Sequence, residues 1–223
     1  MKKLLLFLLL AVSCQTKYPE VIHLEGKKLH IQGLALDKKE KCLYCSFTSA
    51  FFKCDLEGNV IGSVTGINGH LGAMTYEPKS KKVYASLEIK DDEIGRGVSD
   101  ALGAERHEKA ASRFYVAEID VRKIDRLEVP FEEAMTLHPI EEVAKDYLDT
   151  VEVAGVRLEH KYGCSGMDGI AIAPEFGAKS KKKFLYVAYG VYGDTTREDN
   201  DYNILLCFKM DDLTKPVHKY FVK

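Results

Sequence analysis

The residues best suited to chemistry in this chain are oxygen ligands. Asp168 stands in Cys164-Ser165-Gly166-Met167-Asp168-Gly169, an acid between glycines that let a backbone approach a ligand or take positive φ. That setting suits a calcium ligand or a general base, and equally an Asx-type turn that starts a strand. A second group, with Asp194, Glu198, Asp199, Asn200, Asp201 and Asn203, has the oxygen density Ca²⁺ requires, since the ion takes about six to eight oxygens. It lacks the spacing and central glycine of an EF-hand loop, so a solvated loop accounts for it as well. Metal ligation is therefore expected, if anywhere, at Asp168 or at Asp194, Asp199 and Asp201, with Ca²⁺ as the ion.

Nucleophilic chemistry has no comparable signal. The chain contains no G-x-S-x-G, no H-E-x-x-H and no phosphate-binding glycine loop. Gly163-Cys164-Ser165-Gly166 is followed by a strand pattern and not by the helix of a nucleophile elbow. The histidines are scattered along the chain, and no metal cluster assembles from their spacing. Cys42 and Cys45 form a C-x-x-C, but their neighbours alternate as in a strand, which sends the two sulfurs to opposite faces. No second C-x-x-C exists to complete a zinc ribbon, so buried, apolar cysteines are expected. Cys42, Cys45, Cys54, Cys164 and Cys207 make an odd set, so at least one thiol is free or pairs between chains.

The elements that must carry these residues are short strands. Three runs share an opening of glycine and small apolar residues: Gly33 to Asp37, Gly72 to Tyr76, and Gly169 to Ala173. Each is followed by a turn and a larger apolar strand, at Cys42 to Phe47, Val83 to Leu87, and Phe184 to Tyr189. A third strand follows at Phe51 to Leu56, Phe114 to Val121, and Ile204 to Met210, and a fourth at Val60 to Val64, Ala134 to Leu137, and Val217 to Val222. Four antiparallel strands per unit, with the innermost small because blades converge on an axis, predict a mainly β chain. It is read as a partial β-propeller of about three four-stranded antiparallel blades. A β-sandwich of meanders has a similar strand spacing. Three units fall short of the roughly four to eight of closed propellers. The domain of residues 21–223 is thus expected to be incomplete at its C-terminus, with Val21 to Leu24 a strand that would close a missing blade.

Residues just before each inner strand should point to the mouth of the channel. Gln32, Leu71 and Asp168 hold that place, with His30 and His70 close by and Glu88 at the end of a strand. Gln32, His70, Glu88 and Asp168 are accordingly the candidate channel-mouth ligands. Arg96, Asp100, Arg106 and His107, in the polar insertion from Glu88 to Ser112, would form a lid over it. One or two short helices are expected in insertions: an amphipathic one over Pro139 to Leu148, and a weaker one within Ser99 to Ala111.

The N-terminus reads as an export signal. Lys2 and Lys3 precede an apolar run from Leu4 to Val12, too short for the ~20 residues of a spanning helix, and Ser13-Cys14 follow. Ala11-Val12-Ser13-Cys14 resembles the lipobox of bacterial lipoproteins, though that family more often has Leu where Ala11 stands. The resemblance implies a signal peptide at 1–13, lipid attached to Cys14, a tether at 14–20, and a chain held at a bacterial membrane in the cell envelope. Removing residues 1–13 removes two lysines and no acid, taking the formal charge from −2 to −4. No basic stripe marks a nucleic-acid surface, and the clusters at Lys79 to Lys82 and Lys179 to Lys183 read as solvated hairpin tips.

The blade pattern over residues 30–223 resembles six-bladed propellers of the gluconolactonase-like and NHL-repeat kind. Gluconolactonase-like enzymes hold a divalent metal in the channel with acidic and amide side chains, and here only Asp168, Gln32 and Glu88 occupy comparable places. The expected function is binding of a glycan, small molecule or protein partner at the envelope, without catalysis. A metal-dependent hydrolase or lactonase working at the channel, or a structural subunit of an envelope assembly, are the alternatives.

Overall fold

The computed structural model describes residues 19–24, 30–103, 112–159, 164–177, 179, 181–191 and 202–222. Cys14, Asp194, Asp199, Asp201, Arg106 and His107 lie outside the described residues.

The first sheet is a meander of β1 (Ile31–Asp37), β2 (Cys42–Phe47), β3 (Ala50–Asp55) and β4 (Val60–Thr65). The second begins with β5 (His70–Glu77) and β6 (Lys82–Ile89), which lead into helix α1 (Glu93–Leu102), and continues with β7 (Arg113–Asp120). The connection from β7 carries a short strand β8 (Val129–Pro130) and helix α2 (Phe131–Ala134), then returns as β9 (Met135–Pro139) to complete the order β5-β6-β7-β9. Helix α3 (Glu141–Leu148) and a hairpin of β10 (Thr150–Val153) and β11 (Val156–Glu159) follow. The third sheet is β12 (Cys164–Pro174), β13 (Lys183–Val191), β14 (Tyr202–Lys209) and β15 (His218–Val222).

The three inner strands lie side by side, β1 against β5 and β5 against β12, and each sheet runs outward from them. This is the blade arrangement of a propeller. Period-two alternation produces it directly, because each strand of a middle blade must offer apolar residues to neighbours on both faces. Tyr44, Phe51 and Val64 of the first blade pack on Leu71, Val83 and Ile119 of the second. Tyr84, Phe114 and Val116 on the far side of the second meet Ile170, Leu185 and Val187 of the third. The inner strands are small because their backbones nearly touch: a β-carbon on Gly33 would lie 2.6 Å from the Gly72 carbonyl oxygen. Ser46 Oγ donates to that carbonyl at 2.7 Å.

Cys42 and Tyr44 belong to the junction between the first two blades, and Cys45 packs with Phe47, Phe52 and Cys54 on the opposite face, as the odd spacing requires. None of the five cysteines among the described residues forms a disulfide.

Four features differ from the sequence reading. Residues 21–24 form no strand; Leu24 packs on the outer face of the first blade beside the cluster of Cys45 and Phe52. The second helix starts at Glu93, several residues before Ser99, because Asp92 caps it by accepting the Gly95 N–H at 2.7 Å. Leu71 is buried in the core and does not face the mouth. Lys81 and Lys183 do more than solvate hairpin tips, because they also tie neighbouring blades together: Lys81 Nζ sits 2.9 Å from Glu40, and Lys183 Nζ 2.8 Å from Glu77.

The connection between β7 and β9 also straps the outer edge of the first blade. Lys53 Nζ donates to the Val121 and Ile124 carbonyls, the Ser63 N–H donates to the Arg126 carbonyl, and β8 pairs in parallel with β4. The strap satisfies an edge strand that would otherwise stand open to other chains.

Candidate functional site at the channel mouth

Two of the predicted mouth residues share a cleft. Gln32 enters β1 and His70 opens β5, and because those strands are neighbours both side chains reach one depression of about 410 Å³. His30, Thr48, Ile94 and Val98 complete most of its wall, the last two from α1. The helix therefore does border the mouth, through Ile94 and Val98, whereas Arg96 turns to Asp91 at 3.4 Å. A volume within the roughly 300–1,000 Å³ of small-molecule sites, with an apolar wall and a few polar groups, is the usual form of a ligand pocket.

The polar groups of the cleft are held in place. The Gln32 amide nitrogen donates to His30 Nε2 at 2.9 Å and to Thr48 Oγ1 at 3.3 Å. Thr48 is fixed in turn, since its carbonyl accepts the Leu71 N–H at 2.8 Å. The Gln32 amide oxygen has no partner among the described residues and is available as an acceptor. Burial lowers the affinity of His70 for a proton, with the Lys90 and His30 charges adding to the effect, so its ring is neutral at ordinary pH.

Beneath His70 runs a buried ionic chain. His70 and Glu88 are partners across the β5–β6 ladder. Glu88 is only 6 % exposed, and its Oε2 lies 3.0 Å from Lys90 Nζ. Lys90 continues to Asp92 Oδ2 at 3.4 Å, and the Tyr147 hydroxyl of α3 donates to the same oxygen at 3.4 Å. The other oxygen of Glu88 accepts the Met167 N–H, which joins the second blade to the third. Burial pushes the Glu88 carboxyl up against the opposing pull of Lys90 and that N–H. Two carboxylates hold the Lys90 ammonium up although its own burial works the other way. With both oxygens engaged, Glu88 ties the second blade to Lys90 and to the third blade beside the mouth.

Asp168 lies one residue from this link. It is exposed, and its Oδ2 accepts a hydrogen bond from Ser165 Oγ at 2.6 Å, while Ser165 Oγ accepts the Gly190 N–H at 3.1 Å. Burial pushes the thiol of Cys164, at the start of the same strand, up to about 12, so it holds its proton at ordinary pH. Among the described residues no three His, Cys, Asp or Glu side chains gather around one point.

The structure thus joins the four candidate residues in one band, Gln32 with His70 in the cleft, His70 with Glu88 across the ladder, and Glu88 with the Asp168 turn. Sequence reading missed Lys90, Asp92, Tyr147 and Thr48. A signal for the first two was present: Glu88-x-Lys90-x-Asp92 alternates charge at period two where an apolar strand ends.

No protein-family model matches the chain, and no curated protein matches it. Among solved structures it is similar to hydrazine synthase from Kuenenia stuttgartiensis, at 9% identity and a TM-score of 0.46, over 86% of this chain and 37% of that one. It is similar to the WD40 domain of Toxoplasma gondii coronin at 12% identity and a TM-score of 0.39, over 87% of this chain and 35% of that one. For the computationally designed protein Ika4 the values are 13% and 0.32, over 92% of this chain and 99% of that one. The chain therefore spans little more than a third of the length of the first two.

Proposed function

We propose that this chain is an exported propeller protein, anchored to a bacterial membrane by lipid on Cys14, that binds a small neutral polar ligand such as a glycan at the channel mouth. The observation that carries the binding reading is the cleft of Gln32, His70, His30 and Thr48 against Ile94 and Val98. An amide oxygen, the neutral His70 imidazole and a hydroxyl suit hydroxyl-rich ligands, and the aliphatic wall suits the C–H face of a sugar ring. The buried Glu88–Lys90 pair, extended to the half-buried Asp92, supports binding over catalysis, because it spends its charges on rigidity.

The test is a melting-temperature screen of the protein against neutral mono- and disaccharides, repeated with Gln32→Ala. A sugar that raises the melting point of the native protein and not of the variant is the expected result. The reading is overturned if no sugar shifts the native protein, or if the shift survives Gln32→Ala unchanged. A shift that requires calcium and disappears in Asp168→Asn would instead favour a metal-dependent hydrolase. Anchoring is checked by mass spectrometry of membrane-fraction protein, where an unmodified peptide containing Cys14 would refute it.

A further inference from the structure

We propose that the outward faces of the first and third blades form one interface, and that a second copy of this chain covers them. Each blade carries a lysine three residues before a tyrosine: Lys41 and Tyr44, Lys81 and Tyr84, Lys183 and Tyr186. At both junctions inside the chain, that lysine reaches back to the carboxylate that ends the inner strand of the preceding blade. Lys81 Nζ lies 3.4 Å from Asp37, and Lys183 Nζ lies 2.8 Å from Glu77. In each case the acid also caps its own turn, Asp37 by accepting the Lys39 N–H at 3.0 Å and Glu77 the Ser80 N–H at 2.8 Å. Lys41 stands at the same turn position as Lys81, with φ of 53° against 59°. Yet it is exposed and meets no carboxylate among the described residues.

The apolar side chains repeat the comparison. Ala35, Thr75 and Ala171 pair with the three tyrosines, so Leu34, Met74 and Ile170, one residue earlier, are equivalent and face the preceding blade. Met74 and Ile170 are 8% and 9% exposed because that blade is there, whereas Leu34 is 55% exposed and Leu36 43%. Residue type has stayed the same, while among the described residues only Leu24 packs on this face from outside the sheet, beside Cys45 and Phe52.

The third blade offers the complement. Its face turned away from the second blade holds Tyr186, Cys207 and Tyr220. Phe176, 76% exposed, meets Tyr220 at its rim in a tilted contact, with ring centroids 5.8 Å apart. Ala173 takes the strand position of Asp37 and Glu77, and a carboxylate stands two residues on at Glu175, bonded to the exposed His218 at 3.1 Å. A lysine beside exposed leucines on one blade and an acid beside an exposed phenylalanine on the other reproduce the internal junctions. Since β5 stands between β1 and β12, the pairing is made between two copies. A two-fold operation makes both junctions at once.

Sedimentation equilibrium of the full chain in detergent tests this. The expected result is twice the chain mass at micromolar concentration. Leu34→Asp and Lys41→Glu should each weaken association by about tenfold or more, with an unchanged circular dichroism spectrum because both residues are exposed in the single chain. Glu175→Lys should weaken it as well, and combining it with Lys41→Glu should restore the dimer. A single-chain mass for the native protein would overturn the proposal, as would a dimer that Leu34→Asp leaves untouched.

Discussion

Glu88 and Gly166 belong to different blades, yet a β-carbon on Gly166 would fall under 3.0 Å from the Glu88 carboxylate. Gly166 also has φ of +89°, which an L side chain rarely adopts, and the next residue gives its N–H to the same carboxylate. Close approach and left-handed backbone therefore coincide at one glycine. Gly166→Ala is expected to cost roughly 1–3 kcal/mol, which lowers the melting point by about 2–4 °C per kcal/mol for a chain of this size. Gly155→Ala in the β10–β11 hairpin, where no atom lies within 4 Å of an added β-carbon, carries strained φ alone and separates the two effects. Equal losses at the two glycines would show that the Glu88 contact contributes nothing.

Removing Lys90 leaves Glu88 buried without its counter-charge, and loss of one partner of a buried pair costs on the order of 3–5 kcal/mol. Lys90→Met should therefore be strongly destabilising in chemical denaturation. Adding Glu88→Gln to it should recover part of the loss, because a neutral amide tolerates burial and still accepts the Met167 N–H. A double variant as unstable as the sum of the singles would disprove coupling between them.

His70 gives the mouth a pH dependence of defined sign. Its folded proton affinity lies below the ordinary value of 6.5. The unfolded chain thus takes up a proton first as pH falls, and the contribution of His70 to stability is complete above pH 6.5 and is lost as pH drops through the lowered folded value. The melting point should be flat above that range and fall below it, with a shallower fall in His70→Gln. Identical slopes in the two proteins between about pH 6.5 and 5 would remove His70 from the account.

Helix α3 should be part of the core. Val143 is fully buried in the cluster that joins the second and third blades, with Ile140 and Tyr147 beside it. Val143→Asp places a carboxylate there without a partner and should destabilise by several kcal/mol, on the order of the larger single-substitution effects. Glu142→Ala, at a half-buried position of the same helix, is the comparison and should change the melt little. If the two variants melted alike, α3 would be a surface appendage.

The sequence by itself determined the twelve blade strands, their order and their grouping, but it added a strand at 21–24 that does not form and did not show β8, β10 and β11. Alternation at period two is a local property, and a residue such as Tyr44 or Val187 declares its two-sided burial through its immediate neighbours. Helix α3 was legible for the same reason, from apolar residues at helical spacing behind Pro139. Tertiary structure alone decided which residues meet across blades. Glu88 reaches the N–H of a residue 79 positions away, and Lys183 reaches Glu77 over 106 positions. The sequence shows a lysine-rich turn in both the solvated and the bridging case, since a charge carries no record of its distant partner. The mouth was foreseeable as a place, because inner strands begin there. Its working parts were not, because the cleft of Gln32, Thr48 and His70 exists only once two separate strands stand side by side and α1 supplies the wall.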